Sequence, residues 1–65
     1  MNYKLKSSIT GCVITFVESD LTGFMAMINH GLIDHPKIMW KNKSKEYARK
    51  VYTKYRYDGW VVLDG

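Results

Sequence analysis

The chain has 65 residues, 46% of them hydrophobic and 25% charged, with a formal net charge of +4. This length holds one compact domain, residues 1–65, and this composition excludes wholesale disorder. Cys12 is the only cysteine, which excludes an internal disulfide and a secreted disulfide framework and makes a reducing cytoplasm the expected setting.

No run approaches the ~18 apolar residues of a membrane span. A domain of this size buries only about 60% of the surface its unfolded chain exposes. Without a disulfide, and with no strong metal motif, self-association as a symmetric homodimer is the expected reinforcement.

The first element reads as strand. Tyr3 to Lys6 alternates, and so does Cys12 to Val17, where Cys12, Ile14 and Phe16 share one face and Val13, Thr15 and Val17 the other. Ser7-Ser8 is either a turn between two strands or a bulge in one, so residues of about 3–17 form a strand or a hairpin.

The next stretch, ESDLTGFMAMINHG, reads as helix 20–31. Ser19 or Asp20 supplies an N-cap and Gly31 a left-handed stop. Leu21, Phe24, Met25, Ile28 and Leu32 fall at the spacing of an amphipathic stripe. Gly23 inside that helix costs about 1 kcal/mol relative to alanine.

Pro36 holds His35 extended, and residues 37–41 read as a short strand with Ile38 and Trp40 on one face. Trp60 to Asp64 reads as the last strand, rich in β-branched and aromatic residues.

The segment between them, SKEYARKVYTKYRYDG, has two readings. Advancing about 100° per residue, Tyr47, Ala48, Val51, Tyr52 and Tyr55 gather on one side of a helix 45–57 and the charges on the other. Ser44 caps its start and Gly59 follows its end. The rival reading is a hairpin turning at Asp58-Gly59. The helical pattern accounts for every residue from 45 to 56, whereas the strand pattern leaves Tyr52 on the face of Lys54 and Arg56, so the helix is preferred. Strand 37–41, helix 45–57 and strand 60–64 would then form a βαβ unit with a right-handed crossover. The expected fold class is α+β: a short sheet packed with two helices.

Motifs for chemistry are sparse. His30, His35, Cys12 and Asp34 are the only metal-ligand candidates, and no CxxC or HExxH spacing joins them. Cys12 with a histidine is the sole nucleophilic pairing, but Cys12 lies on the Ile14/Phe16 face expected to form core. No phosphate-cradling glycine loop is present. No cofactor, metal or catalytic residue is therefore assigned, and the chain is expected to be non-enzymatic.

The charge is unevenly placed. Residues 1–33 sum to zero, while residues 34–65 carry eight Lys/Arg against four carboxylates and hold the whole excess. Such asymmetry points to an anionic partner. The expected partner-binding surface is the basic face of Lys41, Lys43, Lys45, Arg49, Lys50, Lys54 and Arg56, with an aromatic corner at Tyr57 and Trp60. Eight of the ten cations are lysine, which suits general electrostatics better than base reading.

In size and composition the chain resembles the compact accessory proteins that bacteriophages and mobile elements encode. The lysine, isoleucine, asparagine and tyrosine bias fits an AT-rich genome. The leading expectation is a small binding protein that inhibits or modulates a larger host protein, a defence or nucleic-acid-processing factor, in the host cytoplasm. The alternative is nucleic-acid binding through the same basic face.

Overall fold

A computed structural model describes residues 2–19, 23–30 and 35–63. Five strands and one helix follow in the order β1 (Asn2–Lys6), β2 (Val13–Ser19), β3 (Gly23–Asn29), β4 (Lys37–Lys43), α1 (Lys45–Tyr57) and β5 (Val61–Leu63). The strands form a single antiparallel sheet in the order β4-β3-β2-β1-β5.

β1 and β2 form the hairpin that the alternating pattern allowed. Its turn is closed by the buried Ser7, whose Oγ accepts the amides of Ile9 (3.3 Å) and Thr10 (3.2 Å). The Ser7 amide donates to the Cys12 carbonyl at 2.9 Å. A serine replaces the missing ladder partners here, as ST-turn geometry permits.

The expected helix 20–31 is corrected by β3. Of that span, Gly23–Asn29 is strand, residue 30 lies beyond it, and residues 20–22 and 31 fall outside the described residues. The same apolar residues satisfy both periods. Read by twos, Phe24, Ala26 and Ile28 share one face and Met25, Met27 and Asn29 the other, and pairing with β2 along its whole length selects that period. Gly23 shows why the helix loses. Its φ is +82°, and a Cβ built there would lie 2.5 Å from the Lys43 carbonyl oxygen. The glycine serves close strand pairing with β4.

The expected compact βαβ unit is also corrected. β4 and β5 run parallel, but they occupy opposite edges of the sheet with three strands between them. α1 crosses one face diagonally from the end of β4 to the start of β5. The architecture is therefore one helix on one face of a five-stranded sheet, not a sheet with two helices.

The helix at residues 45–57 forms as expected. Ser44 Oγ accepts the Tyr47 amide at 3.2 Å. At the other end Gly59, at φ +100°, donates to the Arg56 carbonyl, and Trp60 donates to the Tyr55 carbonyl, both at 3.1 Å. This is a Schellman stop, so Asp58-Gly59 ends a helix rather than turning a hairpin.

The core lies between α1 and the sheet. Leu5, Ile14, Phe16 and Ala26 are fully buried, with Val51, Tyr52, Tyr55 and Trp60 packed against them. Each large side chain buried this way contributes about 1.5–3 kcal/mol. Among the described residues, no helix lies on the opposite sheet face.

Candidate functional site

The first half of α1 and one end of the sheet enclose a groove of about 410 Å³. Its floor is Phe16, Phe24, Ala48 and Tyr52, and its rim is Tyr3, Glu18, Lys45 and Arg49. The strand register explains the assembly. Tyr3 pairs with Phe16 and Glu18 pairs with Phe24, so β1, β2 and β3 bring these four side chains to one end of the helix-bearing face. One turn of helix then sets Lys45 beside Arg49 and Ala48 beside Tyr52.

Aromatic contacts fix the floor. Tyr52 meets Phe16 edge-on at 5.7 Å between centroids and Tyr3 at 6.0 Å. Tyr52 is therefore a wall of the site and a core residue together. Small alanine at position 48 leaves the space between helix and sheet open. The result is an apolar recess flanked by two cations and one carboxylate.

The basic residues divide into groups. At about 100° per residue, Lys45, Arg49 and Arg56 lie on the flank shared with Tyr52, and Lys50 and Lys54 on the flank shared with Tyr47. All five are exposed. Arg56 is tethered, since its Nη1 donates to the Trp60 carbonyl at 2.8 Å. On β4, Lys41 is exposed and Lys43 holds its ammonium 5.1 Å from the Tyr47 ring centroid. Tyr47 in turn stands edge-on to Trp40 at 5.2 Å. The single basic face of the helical wheel is thus two flanks, with Glu46, Thr53 and Tyr57 riding between them.

The aromatic corner also divides. Tyr57 is 92% exposed. Trp60 is half-buried, with its ring 5.0 Å from that of Tyr55. The groove was not read from the sequence. Its residues come from four elements, and Phe24 and Glu18 meet only once residues 23–29 are a strand.

Cys12 and His30 are brought together. Cys12 Sγ lies 3.1 Å from His30 Nδ1, because Val13 pairs with Asn29 and the next residue on each strand stays in register. A thiol and an imidazole at this distance can share a proton. Cys12 is only 8% exposed, whereas His30 is exposed. Among the described residues, no three His, Cys, Asp or Glu side chains gather to hold a metal. His35 is exposed and stands apart from this pair, and Asp34 lies outside the described residues. No described helix is long and apolar enough to cross a membrane.

No protein-family model matches the chain, and no curated protein or solved structure matches it significantly. The class defined by fold and site is a helix-on-sheet domain with an aromatic groove flanked by cations.

Proposed function

We propose that this chain is a small non-enzymatic binding protein that acts by occupying an acidic surface of a larger protein. The groove receives one apolar side chain of the partner, while Lys45 and Arg49 meet the carboxylates around it. Exposed Lys41, Lys50 and Lys54 speed the encounter. The observation that carries this reading is the juxtaposition of an aromatic recess with Lys45 and Arg49 on its rim. An anchor in a pocket with charged surroundings is the usual anatomy of an interface hot spot. The size and composition fit a bacteriophage or mobile-element inhibitor of a host defence or nucleic-acid-processing factor.

The test is affinity capture from host lysate with the wild type and with Arg49→Glu. A stoichiometric protein retained by the wild type and lost with Arg49→Glu supports the reading. Equal recovery with both, or no stoichiometric protein, overturns it.

Nucleic-acid binding is the second reading, favoured by the exposed lysines on both flanks and by Tyr57. It is weaker because Tyr52 and Tyr55 pack on the core and are not available to stack on bases. A mobility shift that weakens steeply as salt rises is its signature.

A further inference from the structure

The groove beneath the first half of α1 places its chemistry in a definite order. Phe16, Phe24 and Ala48 at its floor are buried. Lys45 and Arg49 stand on one wall, one helical turn apart, and Arg49 follows Ala48 directly. Glu18 stands on the sheet wall, where pairing with Phe24 holds it beside the floor. These three charged residues are exposed. Glu46, the acidic residue of the first turn, lies about 100° round the helix from Lys45 and does not line the groove.

We propose that the groove binds the C-terminal residue of a partner chain. This residue is apolar; its side chain enters the recess and its free carboxylate lies on Arg49 and Lys45. The proposal rests on the reading of the groove as the partner's anchor site and names the chemistry of that anchor. Three observations select this occupant.

The first is size. A volume of about 410 Å³ lies near the lower end for sites that take a small ligand. It admits one large side chain with its head group, not a length of folded chain. The rings of Phe16, Tyr3 and Tyr52 meet edge-on around it, which suits an aromatic or leucine side chain.

The second is the spacing between the apolar and cationic parts. The cations begin one residue from the floor, at Arg49 beside Ala48. The occupant must therefore carry its negative charge close to its apolar side chain. In a C-terminal residue the side chain and the carboxylate hang from the same Cα. Along an extended internal segment the next side chain points away, and the one after it is about 7 Å distant. Arg49 also offers a planar fork that matches a carboxylate with two parallel hydrogen bonds.

The third is Glu18. A carboxylate at the rim repels an occupant that is negative throughout, such as a phosphate backbone. It favours one that carries a donor beside its own carboxylate. The amide N–H of a C-terminal residue leaves the same Cα and supplies that donor across the groove.

The test is fluorescence anisotropy of the full chain with a labelled peptide, Gly-Ser-Gly-Ser-Phe, made as the free acid and as the C-terminal amide. The free acid is expected to bind with a Kd below about 1 mM, and the amide at least ~10-fold more weakly. The free acid ending in serine instead of phenylalanine is expected to lose as much. Arg49→Gln is expected to bring the free acid down to the level of the amide, and a retained circular dichroism spectrum shows that the fold persists. Lys54→Gln, on the other flank of the helix, is expected to leave binding unchanged. Equal binding of acid and amide overturns the proposal, as does no binding of the acid at 1 mM. A loss with Lys54→Gln as large as with Arg49→Gln overturns it too, because attraction by net charge then explains the preference. Capture from lysate tests the anchor reading separately. A partner lost there with Arg49→Glu, alongside equal binding of acid and amide here, removes only the terminal carboxylate. Selective binding of the acid here with no partner captured there keeps the site and removes the larger protein.

Discussion

Trp60 closes the helix by laying its ring against Tyr55, 5.0 Å away, while its amide donates to the Tyr55 carbonyl. The pair is the hydrophobic contact that accompanies a Schellman stop. It takes Trp60 out of the exposed aromatic corner and leaves Tyr57 as the solvent-facing ring. It also sets where β5 begins, and thus where the chain returns to the sheet.

The stop depends on backbone conformation. Gly59 has φ +100°, and a Cβ at this position meets nothing within 4 Å. Gly59→Ala is therefore expected to cost about 1–2 kcal/mol through the left-handed conformation alone. Gly23→Ala is expected to cost more, because its Cβ meets the β4 backbone as well. Urea denaturation of the two variants gives the order directly.

The N-cap is a separate contribution. Ser44→Ala removes the acceptor of the Tyr47 amide and is expected to lower stability by about 1 kcal/mol. Ser44→Asp restores the acceptor and adds a charge that suits the helix N-terminus, so it is expected to recover the loss in the same denaturation experiment.

The core has little reserve. A chain of this length has a total stability of about 3–10 kcal/mol. Phe16→Ala deletes one of the largest fully buried side chains and is expected to cost about 3–5 kcal/mol. Loss of the cooperative thermal transition, or its shift by tens of degrees, is the expected readout. The same change removes the groove floor, so partner binding falls with it.

The two basic flanks are expected to behave differently. Lys45→Glu or Arg49→Glu, at the groove rim, is expected to weaken partner binding at least ~30-fold, as charge reversal beside a desolvated anchor does. Lys54→Glu is expected to change mainly the association rate and its salt dependence, about threefold or less at physiological salt. Surface plasmon resonance with the captured partner separates the two effects.

The first hairpin and the helix 45–57 were legible in the sequence, but the architecture was not, since one helix and not two packs on a five-stranded sheet. The β1–β2 alternation, the Ser44 cap and the inward Tyr52 and Tyr55 of α1 each follow from local pattern and occur as read, whereas Tyr47, expected inward, is 40% exposed at the edge of the helix. The failure at residues 20–31 is instructive, because Phe24, Met25 and Ile28 fit a helical stripe while Phe24, Ala26 and Ile28 fit a strand. Only long-range pairing with β2 and β4 decides between them. The signal available was Gly23, a poor helix residue exactly where a strand needs close approach. The groove escaped for the same reason, since it exists only where β3 brings Phe24 beside Phe16. The Cys12–His30 contact likewise follows from register and not from spacing along the chain.

The β4 edge has a consequence for assembly. Its pairing with β3 is interrupted twice by register shifts, Asn42 adopts φ 60°, and Lys37, Lys41 and Lys43 line it. Bulges and lysines are the devices that keep an edge strand from templating another chain. Those lysines thus have a duty apart from any anionic partner: they keep the sheet from growing sideways. A small sheet with a guarded edge stays a countable object instead of becoming a fibre.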